Sequence, residues 1–256
     1  MKSAVAEPGL RLSYARDPSR SEAFDPGRLL DDLYAEGAAR AMLPWQSGLR
    51  MAASDHLILA VQSNNGRCLG AIAASDLATE QEPFLFLDAA YIAPVAGASL
   101  LVQRMLAFAM LRIAGQDTVP GIIAACVQTP FFASTLRGFS RWFGGTSFFP
   151  AAPEDVVIDL GMASLARRIV RVVRSGSRCE AAHSTFHAAA QAGAGGIHAE
   201  MLVVVDLNAA DEAAIVGDAR RLYRARRPRD LQRNDAIALA DTAPAAASPL
   251  RDASAV

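Results

Sequence analysis

The chain has 256 residues, 52% of them hydrophobic and 20% charged, with a formal net charge of −1. That is globular material for one large domain, or one domain with a smaller appendage, and it excludes a collagen-like or wholly disordered chain. No run of about 20 predominantly apolar residues escapes interruption by arginine, proline or glutamine, so no membrane-spanning helix is expected. The first residues, Met1-Lys2-Ser3-Ala4-Val5-Ala6-Glu7-Pro8, lack the apolar centre of a signal peptide, and a cytoplasmic location is the expectation. Cys68, Cys126 and Cys179 are too few and too scattered for a disulfide framework; Cys68 and Cys126 lie in apolar runs and read as small core residues. Charge is uneven: residues 1–159 hold 12 basic and 16 acidic side chains, and residues 160–256 hold 13 and 10.

In chain order, Leu10–Ala15 alternates apolar and polar residues and predicts a half-buried strand. Asp25-Pro26 opens a helix over 27–42, with Leu29, Leu30, Leu33, Tyr34 and Ala38 as its apolar stripe. His56–Gln62 and Cys68–Ala74 form a hairpin around Ser63-Asn64-Asn65-Gly66, where Asn and Gly tolerate positive φ. Phe84–Ile92 is nearly continuous in apolar residues and predicts a central strand. A short Pro/Gly turn follows, then a helix from Ser99 to Ile113 burying Leu101, Met105, Phe108 and Leu111.

Gly121–Val127 predicts another buried strand, and Pro130–Phe143 a helix with Phe132, Leu136, Phe139 and Phe143 on its core face and Gly144-Gly145 as C-cap. Val156–Leu160 reads as a strand, with Thr146–Phe149 pairing beside it, and Ala163–Arg174 as a short helix. Met201–Leu207 is a strand; Asp211–Arg226 is a helix with acids in its first turn and arginines in its last. Residues from about 234 onward read as a disordered tail.

The turn Pro94-Val95-Ala96-Gly97-Ala98-Ser99 puts small residues and partnerless backbone N–H groups at a helix mouth, where the dipole is positive. Such a nest suits a phosphate and needs no lysine; the same residues also suit an ordinary strand-to-helix turn. This turn, with the element order up to Leu160, resembles the GNAT superfamily of acyl-CoA N-acyltransferases. Members carry Gln or Arg, two variable residues, Gly, one variable residue, then Gly or Ala. Here Gly97 matches, Ser99 is a small residue in the last place, and Pro94 stands where Gln or Arg is usual.

The resemblance implies an α/β fold (mixed α+β): a GNAT-like central mixed sheet flanked by helices, over 1–161, with a C-terminal α/β extension over 162–233 and the tail 234–256. It implies an acyl-CoA-dependent N-acyltransferase acting on a small-molecule or peptide amine, with acetyl-CoA as co-substrate, or a catalytically inactive relative that binds or regulates. A homodimer is open under either. It places the pantetheine arm along Asp88–Ile92, with Tyr91 beside it, and the diphosphate against Val95, Ala96, Gly97, Ala98 and Ser99. Family members often use a helix tyrosine as acid toward the thiolate. Here the position falls on Ser134 or Ser140, depending on whether Gly138 or Gly144 is the matching glycine.

Acyl transfer to an amine also needs a base. Asp88 is the candidate, against the reading that it is simply a paired carboxylate; Tyr91 is either a proton donor or a packed strand-end ring. Glu80 and Glu82 are either contacts for a cationic substrate or solvated loop charges. Cys179, His183 and His187 recur at four-residue steps, but no paired-cysteine motif accompanies them and no metal is expected. The arginines between Arg220 and Arg233 read as a solvated helix end; with Tyr223 the sole interleaved aromatic, nucleic acid is not expected as a partner.

Overall fold

The computed structural model describes residues 2–7, 9–18, 54–63, 65–93, 95, 97–127, 129–144, 146–150, 159–175, 201–208 and 210–225. The elements are β1 (Lys2–Glu7), β2 (Leu10–Arg16), β3 (His56–Gln62), β4 (Cys68–Ala78), β5 (Pro83–Ile92), α1 (Ala98–Ala114), β6 (Ile122–Val127), α2 (Pro130–Ser140), β7 (Ser147–Phe149), α3 (Leu160–Ser175), β8 (Met201–Asp206) and α4 (Glu212–Arg224). The helix expected over 27–42, Val156–Ile158, Gly193–Gly196, the Cys179/His183/His187 set and everything after Ala225 lie outside the described residues. Met1–Ala225 form one compact unit.

The strands make one eight-stranded sheet in the order β1-β2-β3-β4-β5-β6-β8-β7. The expected mixed sheet flanked by helices is therefore present. Among the described strands only β5 and β6 run parallel; every other neighbouring pair is antiparallel. The β3–β4 hairpin forms as its Asn/Gly turn predicts, with Gly66 at φ 72 and β4 running on to Ala78. β1 was not legible: a strand at the sheet edge needs little apolar patterning when its ladder with β2 supplies the pairing.

One sheet face packs on α3: Phe84, Phe86, Ala124, Cys126, Leu202 and Val204 meet Met162, Leu165, Ala166, Ile169 and Val173. α3 starts at Leu160, so the strand expected at Val156–Leu160 does not reach that residue. Asp159 caps the helix instead, accepting from the Met162 N–H at 3.0 Å. The other face receives α1, which is flanked by α2 and α4 and is buried nearly all round from Leu100 to Met110. Gln103 and Arg104 are therefore buried as well, beyond the single stripe expected of this helix. Arg104 donates from Nε to the Tyr223 carbonyl at 3.1 Å, satisfying an end of α4, while Phe108 stacks on Tyr223 at 5.6 Å.

The segment read as a C-terminal extension joins this architecture directly. β8 sits between β6 and β7, pairing with β6 from Ile122↔Asp206 to Val127↔Met201. Asp211, expected in the first turn, stands just before α4 and caps it through the Ala214 N–H at 2.7 Å. Cys68 and Cys126 are both buried core residues, as expected, but Cys126 is also disulfide-bonded, contrary to the expectation of no disulfide framework. Spacing along the chain does not report which distant segments fold together.

Candidate functional site

The parallel pair β5–β6 is short. Its ladder covers Leu85↔Ile123, Phe86↔Ala124 and Leu87↔Ala125 only. β5 continues to Ile92 and keeps its pairing with β4 over Ala89–Ile92. The two strands therefore part toward their C-terminal ends, and each feeds a helix there: β5 leads to α1 and β6 to α2.

The parting coincides with a β-bulge. Ala73 pairs with Ala89 and Ala74 with Leu87, which leaves Asp88 as the extra residue of β5. Its side chain is buried, and one carboxylate oxygen accepts from Ser75 Oγ at 2.5 Å and from Ser54 Oγ at 3.0 Å. Tyr91 is almost fully buried in a cluster with Leu57, Ala71, Ala73, Ala89 and Ala93, against which Val95 packs. Asp88 thus occupies the bulge, while the Tyr91 ring belongs to the core beside it.

At the mouth of the split, Gly97 is the N-cap of α1 at φ 78, ψ 16, a left-handed conformation that favours glycine. It is exposed, and a Cβ added there would meet nothing within 4 Å. The Ala98 N–H donates to the Val95 carbonyl at 3.1 Å, and the first helical bond is Leu101 N–H to the Gly97 carbonyl at 2.9 Å. Among the described residues, no side chain caps α1, no acid lies in its first turn, and no counter-charge is built in at its positive end. Of the turn residues expected to hold a diphosphate, Val95, Gly97, Ala98 and Ser99 fall at this mouth; Ala96 lies outside the described residues.

A polar cluster joins α1 to α2 just behind the mouth, and sequence reading had not found it. Ser99 Oγ accepts from Gln103 Nε2 at 3.3 Å and from Thr135 Oγ1 at 3.0 Å. Trp142 Nε1 donates to Gln103 Oε1 at 3.2 Å. Gln103 lies against Gly138, where a Cβ would come within 2.7 Å of its Nε2. The one sequence signal was Gln103 itself, an amide beside Arg104 in a mostly apolar helix.

The remaining candidates are placed elsewhere. Ser140 is buried at the far end of α2 and donates to the Arg137 carbonyl at 2.9 Å, so its proton is committed to its own helix. Ser134 is exposed on α2. Glu82 is bound by Arg168 of α3, with both carboxylate oxygens near Nη2 at 2.9 and 3.0 Å, which makes it a strap between the β4–β5 turn and α3. Glu80 is exposed. Arg220, Arg221 and Arg224 are exposed on α4, with Arg221 paired to Asp218. Among the described residues, no group of three His, Cys, Asp or Glu side chains is placed to hold a metal ion. No described helix is long and apolar enough to cross a membrane.

A second polar set, buried at Tyr14 and His56, was also invisible in sequence. Tyr14 Oη and His56 Nδ1 lie 2.7 Å apart, and His56 Nε2 is 2.9 Å from Asp76 Oδ2. Arg112, near the C-terminal end of α1, stands over the Tyr14 ring at 5.9 Å. Burial pushes the Tyr14 phenol up to about 12. The His56 contact holds the Asp76 carboxyl below its usual range, against the opposing pull of burial. This set lies toward the opposite end of α1 from Gly97, roughly 20–25 Å away at 1.5 Å per helical residue.

No family model and no curated protein matches the sequence. Solved structures do. One is a proposed acetyltransferase from Sphaerobacter thermophilus, with 14% identity and a TM-score of 0.32, covering 52% of this chain and 78% of that one. A second is N-acetylglutamate synthase from Neisseria gonorrhoeae, complexed with coenzyme A and N-acetyl-glutamate. It has 13% identity and a TM-score of 0.38, covering 75% of this chain but 34% of its own length. A third is a proposed phosphinothricin N-acetyltransferase, with 15% identity and a TM-score of 0.35, covering 58% and 90%. These are distant likenesses of fold.

Proposed function

We propose that this chain binds an acyl-coenzyme A in the split between β5 and β6 and transfers the acyl group, acetyl in the simplest case, to an amine. The observation that carries the reading is the coincidence of three features at one place. The parallel ladder ends at Leu87, a bulge falls at Asp88, and the uncapped N-terminus of α1 opens at Gly97. An extended, anion-bearing ligand fits that combination: a strand edge to lie along and a helix mouth for its diphosphate.

The residues fit the ligand without a lysine. Gly97 and Ser99 would offer backbone N–H groups to the diphosphate, with Val95 bordering the entry and the buried Tyr91 ring behind it; the Ala98 N–H is already engaged by the Val95 carbonyl. The co-substrate supplies an activated thioester. In the transfer, a C–N bond forms to the amine, the C–S bond breaks, the amine loses a proton and the leaving sulfur gains one. Asp88 is proposed as the group that draws the amine's proton, directly or through a water. The two serine hydroxyls hold its carboxylate in place.

The commitment of Ser140 to the Arg137 carbonyl and the absence of a tyrosine from α2 favour a second reading: a protein that binds the acyl-coenzyme A without turnover. One experiment separates the two. Acetyl-coenzyme A at about 100 times its Kd stabilises a one-site binder by about 2.7 kcal/mol. For a chain of this size that is a rise in Tm of about 5–10 °C. A shift with release of free thiol on an amine panel supports the transferase; a shift without release supports the binding protein. No shift at millimolar ligand defeats both.

A further inference from the structure

The cluster behind the helix mouth has a directionality that packing alone does not require. An indole N–H can only donate, so Trp142 fixes the Gln103 amide with Oε1 toward the ring and Nε2 toward Ser99. Ser99 Oγ then accepts from Gln103 Nε2 and from Thr135 Oγ1. A serine hydroxyl has two acceptor lone pairs and one donor proton. With both lone pairs engaged, the proton is the capacity left to it, at the first turn of a helix whose dipole already favours an anion.

Gln103 and Thr135 are buried, at 5% and 1% exposure. Apolar residues of the same volume would join α1 to α2 without the desolvation that an amide and a hydroxyl cost. Gly138 leaves room for the Gln103 amide at the point of closest approach.

From this geometry we infer that Gln103 and Thr135 are positioning residues. They turn the Ser99 hydroxyl into a directed donor to a phosphate oxygen, and they fix the separation of α1 and α2 across the split. The inference rests on the acyl-coenzyme A reading above and deepens it, adding a side-chain donor to the backbone nest. It also makes the Trp142 indole a reporter of occupancy, three hydrogen bonds from the anion.

The test is calorimetric titration of the full-length protein with coenzyme A, for the wild type, Thr135→Val, Thr135→Ser and Ser99→Ala, each with its Tm. Thr135→Val keeps the volume and removes the hydroxyl; it should weaken binding about tenfold, the equivalent of ~1.4 kcal/mol. Thr135→Ser should restore affinity to within about twofold, which a purely volumetric role for Thr135 would not do. Ser99→Ala should lose about tenfold as well, and this partly exposed position keeps the question answerable if Thr135→Val does not fold. In a Trp45→Phe background, coenzyme A should shift the Trp142 emission of the wild type but not of Ser99→Ala. Wild-type binding with Ser99→Ala and Thr135→Val both within about twofold would overturn the donor inference and leave the acyl-coenzyme A reading standing. No binding by the wild type would overturn that reading and the inference with it.

Discussion

Gly97→Ala perturbs the helix mouth in a way that can be worked out from the backbone alone. Gly97 sits at φ 78, ψ 16, and an added Cβ would have no heavy atom within 4 Å. The substitution therefore brings neither a clash nor a packing gain; its cost is the left-handed conformation itself, about 1–2 kcal/mol for a residue bearing a Cβ. Alanine also narrows the unfolded ensemble, which offsets part of that, by about 0.4–1 kcal/mol at a compatible site. A net loss of about 1 kcal/mol follows, and for a chain of this size Tm should fall by about 2–4 °C. Urea unfolding should show a lower midpoint at unchanged slope, because the surface exposed on unfolding is the same. Gly97→Asn should lose less, since asparagine visits this region more readily. Coenzyme A affinity should fall further in Gly97→Ala than the stability change alone explains, as the first amides of α1 re-aim. If Gly97→Ala were as stable as the wild type and bound coenzyme A equally well, the left-handed turn would not be what directs the helix mouth, and the site would need another basis.

Three further outcomes are expected. Tyr14 has a folded pKa of about 12, above its ordinary value of 10.0, because burial disfavours the phenolate. A group raised in this way contributes stability that is complete below pH 10 and is lost as pH climbs through 12. Tyr14→Phe should therefore flatten the alkaline fall in urea midpoint between those values, with a residue left from Tyr223, which is also raised by burial; an unchanged slope would refute the assignment. Asp76 is shifted the other way, chiefly by its contact with His56, so its contribution is present above its ordinary value of 3.8 and is lost as pH falls below it. Asp76→Asn should be less acid-sensitive than the wild type in that window, and equal acid sensitivity would count against the His56 contact. Gly70→Ala would bring a Cβ to 2.7 Å from Ile92 Cδ1, 3.1 Å from the Tyr91 carbonyl and 3.3 Å from Met105 Sδ. Overpacking of this kind costs about 1–3 kcal/mol, readable as a lower urea midpoint; a neutral result would mean that the Ile92 and Met105 side chains do not pack this closely on Gly70.

Much of the local structure was legible because its causes are local. The Asn/Gly turn with flanking apolar runs specified the β3–β4 hairpin, the continuous apolar run specified β5, and Phe132, Leu136 and Phe139 at helical spacing specified the buried face of α2, which ends at Ser140, short of the expected Phe143. Asp211 announced the start of α4, and Gly97 marked the turn where the chain needs positive φ. What tertiary structure alone decided depends on contacts between segments far apart in the chain. β8 enters the sheet between β6 and β7, and no pattern within Met201–Asp206 names its neighbours. Asp88 becomes a bulge only through the register of β5 on β4, which turned one acidic residue in an apolar strand into a buried, doubly hydrogen-bonded carboxylate. Gln103 and Arg104 look like the polar side of an amphipathic helix until α2 and α4 close over them. Periodicity reports which residues one element will bury; it carries no information about which partner arrives to bury them, and the candidate site is made of such arrivals.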